Sequence, residues 1–243
     1  MRRVLGVDGC KGGWLVCALS EDGRVGFLVL PDLASVFRAK PGVSLILADV
    51  PIGLPGSGVR ACDMRAKGLL GRYNSRVFLM PARAVFEATD YPAANTVSRS
   101  VSGKGLSKQA WHIMPKIKEV DGVLQGDAAM RSVVRECHPE ICFWGLCGAV
   151  IAENKKTDEG AAARLGVLGG FVDDVEGVVA GALARWPRKV LARDDVIDAL
   201  VCAVTAAGVW DGSLRTIPEK PERDGFGLAM EMVYRDGQAI VRR

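Results

Sequence analysis

The residues VLGVDGCKGGWLV, from Val4 to Val16, place a carboxylate between two apolar stretches and beside a glycine-bearing turn. Burying apolar residues on both sides of a carboxylate is costly unless a cation or hydrogen-bond donors pair with its charge. The short turn predicts two strands that pair antiparallel. Asp8, on the first strand, is then available for a metal ion, for a phosphate-bearing cofactor or for the amide groups of the turn.

The segments that follow predict a mixed α/β sheet. Residues 24–30, RVGFLVL, are predicted as a third antiparallel strand, and residues 31–40, PDLASVFRAK, have the spacing of a helix. The apolar run SLILADVP, at 44–51, is typical of a buried strand, and a further strand is predicted near Val133–Cys137. Three antiparallel strands, a crossover helix and a buried strand together predict the mixed sheet.

The middle of the chain has a different character. From Gly56 to about Met130 it is polar, basic and rich in glycine, with helical pieces at 59–70 and 107–120. We therefore expect one domain over residues 1–243, in which 56–130 is an insertion or lid. Two helices, an apolar helix beginning near Asp194 and an alternating tail that suggests an edge hairpin complete the chain.

Charge is unevenly distributed along the sequence. The net charge is +4, yet residues 60–118 contain eleven basic and three acidic residues, so this segment carries +8 and the remainder about −4. A basic middle suggests a polyanionic partner, although a solvated basic face explains it equally well.

Composition also bears on the cellular compartment. No run of eighteen uncharged apolar residues occurs, so no membrane span is expected, and the apolar run before Asp8 is too short for a signal peptide. Seven cysteines without a CxxC pair favour a reduced cytoplasm. Zinc at Cys137, His138, Cys142 and Cys147 is a weaker alternative, because these spacings are unlike those of zinc fingers.

Acidic residues stand where predicted elements begin or end. Asp8 lies on the first strand, Asp49 ends the fourth, and Asp195 and Asp198 share one face of the last predicted helix. Converging carboxylates repel, and hard oxygen ligands select Mg²⁺ or Mn²⁺. Paired ions about 3.5–4 Å apart catalyse phosphoryl transfer. The structural alternatives are a turn at Asp8, local amide bonds at Asp49 and a helix cap at Asp195.

Other residues could assist such a site. Glu136 is a candidate further ligand or base, or else a strand-end acid paired with arginine. His138 is a candidate proton carrier, or a structural histidine bonded to the backbone. Trp111 is a candidate base-stacking residue, or a packing residue. The candidate phosphate-binding residues, each with a solvated surface position as its alternative, are Lys11, Arg60, Arg65, Arg72, Lys104, Lys155 and Lys156.

A family resemblance rests on seven ordered motifs. They are GVDGCKGGW from Gly6, ADVPIGLP from Ala48, RACDMRAKGLLGRYNSRVF from Arg60, GKGLSKQAWHIMPKIKEVD from Gly103, ECHPEICF from Glu136, NKKTDEGAAARLGVL from Asn154 and DDVIDALVCAVTA from Asp194. The chain resembles domain-of-unknown-function family 429, predicted nucleases with an RNase H-like fold. The resemblance implies a five-stranded mixed sheet with flanking helices and a helical basic insertion.

The last motif is also similar to the D-x-x-D-A-L helix of Holliday junction resolvases, which share that fold. This similarity implies catalytic roles for Asp8, Asp49, Asp195 and Asp198, although the resolvases carry a glutamate where this chain has Asp49. Junction cutters of this type are commonly dimers, so the similarity implies that this chain could form a homodimer.

The leading interpretation is a cytoplasmic, Mg²⁺- or Mn²⁺-dependent phosphodiesterase acting on nucleic acid, with DNA and RNA both open. One alternative is a non-catalytic module that binds nucleic acid or a protein partner. Another is a phosphotransferase of the actin and hexokinase type, which needs a second Asp-Gly phosphate loop and a duplicated sheet. The sequence offers no second loop.

Overall fold

The chain folds into two compact units. The structure, a computed structural model, describes residues 1–39 and 42–237, with side chains for all of these except 37–39. The first unit comprises the described residues within 1–49, 132–215 and 233–237, and the second comprises 50–131 and 216–232. The predicted insertion at 56–130 therefore lies within the second unit, and its role as a lid stays a prediction.

A five-stranded sheet forms the centre of the first unit. Its strands are β1 (Arg3–Cys10), β2 (Gly13–Ser20), β3 (Val25–Leu30), β4 (Leu45–Ala48) and β5 (Val134–Glu136). The spatial order is β3-β2-β1-β4-β5, in which β1, β2 and β3 pair antiparallel and β4 runs parallel to both β1 and β5. The mixed α/β sheet is confirmed, and it is consistent with an RNase H-like fold.

Helices flank this sheet and build the second unit. Their bounds are α1 Leu33–Ala39, α2 Ala61–Leu70, α3 Tyr91–Ser102, α4 Lys108–Gly126, α5 Ala128–Val133, α6 Pro139–Cys147, α7 Asp158–Leu168, α8 Val175–Arg185 and α9 Arg193–Ala206. Short 3₁₀ helices cover Gly71–Arg76, Arg83–Glu87 and Ala207–Val209. No helix in the described part of the chain has the length and apolar character needed to cross a membrane.

Helix α9 is the central helix of the first unit. All eleven of its residues from Val196 to Ala206 are buried, and it packs on β1, β2 and β4. A helix that is apolar on nearly every side needs neighbours all round. The one charged residue in that buried run, Asp198, is therefore exceptional.

The described part of the tail contains one strand. Strand β7 (Ala229–Arg235) pairs with β6 (Leu214–Arg223), which lies upstream of the tail, and the two form a separate two-stranded sheet. The first half of the predicted tail hairpin is a strand, β7, and its second half falls mainly on residues 238–243. Those last residues lie outside the described part of the chain.

Candidate active site

Two strand ends bring Asp8 and Asp49 to the same face of the sheet. The amide of Asp49 donates a hydrogen bond to the carbonyl of Val7 at 2.8 Å, which extends the parallel ladder one residue beyond β4. Val7 is aligned with Ala48, so the next residues, Asp8 and Asp49, lie side by side. Side chains alternate along a strand, so both carboxylates point to one face.

A glycine sets the distance between this face and α9. A Cβ atom on Gly6 would lie 2.1 Å from the carbonyl oxygen of Ala199 and 2.2 Å from the amide nitrogen of Ala203. The helix backbone therefore rests directly on the backbone of β1 at Gly6. Because Gly6 and Asp8 share a face, this contact also brings Asp198, the residue before Ala199, to the carboxylates.

The three carboxylates perturb one another. Burial, followed by the charges of Asp49 and Asp198, raises the pKa of Asp8 well above its ordinary value. Burial also raises the pKa of Asp49, with the charges of His138 and Lys155 opposing it. The pKa of Asp198 rises to about 6, mainly through burial, although Lys155 lowers it in part. Perturbed carboxylates that converge in this way are typical of functional sites.

Lys155 supplies a positive charge to this cluster. Its Nζ donates to Oδ2 of Asp198 at 2.5 Å, and the Asp198 side chain is only 2% exposed while that of Lys155 is 39% exposed. Burial alone would lower the pKa of Lys155, but Asp198, Asp49 and Asp8 together raise it above the ordinary lysine value. The ammonium group therefore stays charged.

The other Asp198 oxygen, Oδ1, is buried and has no hydrogen-bond partner among the described residues. Within residues 1–39 and 42–237, no hydrogen-bond donor reaches the carboxylate of Asp8 or Asp49 either. One ammonium therefore faces several carboxylates, and the cluster keeps unmet acceptor capacity.

Buried Arg164 fixes the loop that carries Lys155. Its guanidinium donates to Glu140 at 2.5 Å and to the carbonyl oxygens of Glu153 at 3.1 Å and Gly160 at 3.0 Å. A Cβ atom on Gly160 would lie 1.8 Å from the carbonyl oxygen of Asn154, so only glycine allows this close approach. Arg164 and Gly160 thus hold the chain immediately before and around Lys155.

Asp195 has a structural role as well as a place near the site. Its Oδ2 accepts a hydrogen bond from the Ala192 amide at 2.8 Å, which caps the start of α9. Burial raises its pKa, opposed by the Ala192 amide, Lys155 and Lys11, and its own charge raises the pKa of Asp8. The helix-cap interpretation describes the observed bond, and one Asp195 oxygen remains for another partner.

The donor set suits a hard divalent cation. Carboxylate oxygens are the ligands that Mg²⁺ and Mn²⁺ prefer, and the unpaired Oδ1 of Asp198 is an acceptor of that kind. In the described part of the chain, however, no three of Asp8, Asp49, Asp195 and Asp198 bring oxygen atoms within 4.8 Å of one another. A shared ion would therefore have to draw these side chains closer together.

The family assignment follows from the whole pattern of the chain. A family model described as protein of unknown function (DUF429) matches residues 6–223. The chain belongs to this family. No curated protein and no solved structure matches it significantly. The DUF429 match spans Asp8, Asp49 and Asp198, and the family description assigns none of them a role.

Two other acid–base candidates of this DUF429 chain are placed differently. Glu136 is buried at the end of β5, aligned with Ala48. Because side chains alternate, it points to the face opposite Asp49 and does not join the cluster. His138 accepts a hydrogen bond from the Glu140 amide at its Nδ1, 3.2 Å away, and so caps α6, as its structural alternative predicts.

The candidate phosphate-binding residues fall into three groups. Arg60 is buried, and its guanidinium donates to Asp63 and to the carbonyl of Ile52, so it does not present itself to a phosphate. Lys155 belongs to the carboxylate cluster. The remaining five are exposed, namely Lys11, Arg65, Arg72, Lys104 and Lys156. Arg72 also stacks over Tyr73, with 4.9 Å between the guanidinium carbon and the ring centroid.

The cysteines form a different cluster from the one considered for zinc. Cys147 is exposed, and its Sγ contacts the carbonyl oxygens of Phe143 and Ala149. Cys202, which the sequence interpretation did not include, joins Cys137 and Cys142 instead. None of the seven cysteines, all within the described ranges, forms a disulfide.

Proposed function

We propose that this protein is a metal-dependent phosphodiesterase that cleaves nucleic acid at the site formed by Asp8, Asp49 and Asp198. The proposal depends chiefly on the buried Oδ1 of Asp198, which accepts no hydrogen bond from any described residue. Leaving a buried charged oxygen unpaired is costly. A hard cation compensates this cost, and the raised pKa values of the cluster fit a site built to receive positive charge.

The three aspartates would hold Mg²⁺ or Mn²⁺, with Asp195 contributing its second oxygen or only its charge. Such an ion would activate water for attack and neutralise charge on a phosphate oxygen. Lys155 has a second task in this proposal. Once Asp198 is otherwise neutralised, its partly exposed ammonium is available for a phosphate oxygen of the substrate.

A polyanionic substrate is favoured by charge. Residues 60–118 carry a net charge of +8, and Arg65, Arg72 and Lys104 within that segment are exposed. Exposed guanidinium and ammonium groups neutralise phosphates and give salt-dependent binding. A reduced cytoplasmic setting and a homodimer remain predictions alongside this proposal.

The phosphotransferase alternative gains no support. It needs a duplicated sheet, and residues 1–39 and 42–237 form one five-stranded sheet and one two-stranded sheet. The other alternative is a non-catalytic binding module, and the test below distinguishes it from an enzyme.

The test is cleavage of single-stranded DNA, duplex DNA, single-stranded RNA and a four-way DNA junction, each with Mg²⁺, with Mn²⁺ and with a chelator. We expect metal-dependent cleavage of at least one substrate, lost in Asp8→Asn and Asp198→Asn. The matched control is Asp173→Asn, which changes an exposed carboxylate of the first unit and should leave the rate unchanged.

Thermal unfolding with added metal provides the second measurement. An ion that binds only the folded state at 100 times its Kd adds about 2.7 kcal/mol of stability. Stabilisation that disappears in Asp8→Asn, without cleavage of any substrate, would favour the binding module. Cleavage by Asp8→Asn at the wild-type rate would refute the assignment of the site.

A further inference from the structure

Three thiols from three separate elements meet in the core of the first unit. Cys137 follows β5, Cys142 lies on α6 and Cys202 lies on α9. Their Sγ atoms all lie within 4.8 Å of one another, and the Sγ atoms of Cys137 and Cys202 are 3.2 Å apart. Each residue is at most 1% exposed. Rigid elements therefore hold three potential soft ligands together before any ion binds.

A buried hydroxyl beside this cluster lacks a partner. Thr205 follows Cys202 by three residues on α9, so the two lie on the same side of the helix. Its Oγ1 is fully buried, makes no hydrogen bond of normal geometry and lies against the Cys142 thiol. An unmet buried hydroxyl costs about 1–3 kcal/mol. A thiolate is a far better acceptor than a thiol, so a metal-bound Cys142 would satisfy this hydroxyl.

The coordination number follows from what surrounds the thiols. No fourth histidine, cysteine or carboxylate in the described part of the chain comes within 4.8 Å of all three Sγ atoms. The nearby His138 uses its Nδ1 to accept a hydrogen bond from the Glu140 amide, so this ring nitrogen is not free to ligate. The three cysteines are at most 1% exposed, so their thiols are shielded from bulk water.

We propose that Cys137, Cys142 and Cys202 form a three-coordinate thiolate site for a soft monovalent ion, Cu(I). Metal–thiolate bonds of about 2.3 Å imply sulfur–sulfur separations of about 4 Å in a trigonal site, which requires only small adjustments here. Thiolates select Cu(I) and Zn²⁺ among the common ions. Structural Zn²⁺ is almost always four-coordinate, so three sulfurs without a fourth ligand favour Cu(I).

A disulfide between Cys137 and Cys202 is the competing outcome. Their sulfur separation of 3.2 Å exceeds the bond length of about 2.03–2.05 Å, so closure needs movement of both side chains. It would also leave the Cys142 thiol and the Thr205 hydroxyl without new partners. The metal site accounts for all four groups at once.

The experiment titrates the reduced full-length chain with Cu(I) under anaerobic conditions, against a chromophoric Cu(I) chelator. We expect one equivalent to bind, with thiolate-to-copper charge transfer in the near ultraviolet and three sulfur neighbours by X-ray absorption. Cys202→Ser should weaken binding at least 100-fold. The control Cys147→Ser, which changes the exposed cysteine on the same helix as Cys142, should bind as the wild type does.

Folding must be checked, because Cys202 lies in the core. Circular dichroism and urea unfolding of each metal-free variant identify those that fold, and Cys142→Ala provides a second variant with the same expected loss. The proposal is overturned if a folded Cys202→Ser or Cys142→Ala variant still binds Cu(I) tightly. The proposal is also overturned if the wild-type chain fails to compete with the chelator for Cu(I). It is overturned as well if the chain forms only a Cys137–Cys202 disulfide in air and binds no Cu(I) when reduced.

Discussion

Buried charges are treated differently in the two units. In the second unit, Arg60 and Asp63 are fully buried and paired, with one Asp63 oxygen bonded to Arg60 and the other to the Met80 amide at 2.8 Å. In the first unit, Asp198 shares one oxygen with Lys155 and leaves the other unpaired. Asp63 is thus paired at both oxygens and serves the fold, whereas Asp198 keeps one buried acceptor for another partner.

The pKa shifts follow the same division. Burial would raise the pKa of Asp224 in the second unit, but the Leu54 amide, Arg83 and further backbone amides outweigh burial and lower it. Burial of Asp198 is not outweighed, and its pKa rises to about 6. Asp224 therefore favours the folded state as a carboxylate, while Asp198 favours it as a neutral acid.

The largest expected effect tests the paired region. Asp63→Ala removes the partner of a fully buried guanidinium, which typically costs about 3–5 kcal/mol. Urea unfolding measures the loss. The double variant Arg60→Met/Asp63→Leu should recover part of it, because Arg60 is then not left as a buried charge without Asp63. A loss below about 1 kcal/mol in Asp63→Ala would contradict the structural role of the pair.

The next effect concerns pH. The pKa of Asp198 is about 6 in the folded chain and near 3.9 when unfolded, so the native state binds more protons between these values. Its contribution to the free energy of unfolding should therefore fall by about 2 kcal/mol as pH rises from 4 to 7, and stay nearly constant above that.

Urea unfolding of wild type and Asp198→Asn across this range isolates the Asp198 contribution from that of other groups. The stability of the variant should decline less steeply with rising pH, since asparagine does not titrate. Parallel curves would show that Asp198 carries no raised pKa.

A smaller effect tests the position of Lys155. Gly160→Ala forces a methyl group against the Asn154 carbonyl, which should cost about 1–3 kcal/mol and displace Lys155 from Asp198. Gly166 lies on the same helix with nothing within 4 Å of an added Cβ atom. Gly166→Ala should instead stabilise the chain by about 0.5–1 kcal/mol. Equal effects in thermal unfolding would mean that the loop adapts freely.

The smallest expected change in the free energy of unfolding is an increase, whereas Asp63→Ala lowers it. Asp8→Asn removes a carboxylate whose pKa is raised by burial and by Asp49 and Asp198. Without metal at pH 7.5, it should raise the free energy of unfolding, because asparagine carries no charge to be buried. Asp173→Asn, at an exposed position, should stay within about 0.5 kcal/mol of wild type. A destabilised Asp8→Asn would place Asp8 among the structural charges.

Local patterns allowed the sheet and the strand-end acids to be predicted. Short turns identified β1 to β3, and a continuous apolar run identified β4. The positions of the acids on their elements, together with the resemblance, grouped Asp8 and Asp49 with α9. Helix α3 was missed because its β-branched and serine residues obscure helical spacing, although Asp90 as a cap and Pro92 in the first turn were available signals.

Contacts between segments that are distant along the chain could not be predicted from the sequence. Arg60 turns inward because Asp63 and loop carbonyls accept from it, whereas its charge alone suggested a surface. Lys155 reaches Asp198 only because Arg164 holds its loop. The convergence of Cys202 with Cys137 depends on how α9 lies on the sheet, which a helical period does not specify.

The backbone contact at Gly6 has a consequence for evolution and for engineering of this chain. Any side chain at position 6 larger than hydrogen would push α9 away from β1, because main-chain atoms of the helix lie where its Cβ atom would be. The spacing between Asp8 and Asp198 on these two elements therefore depends on glycine at position 6. Redesign of the interior can proceed around this fixed point, provided that position 6 keeps its hydrogen side chain.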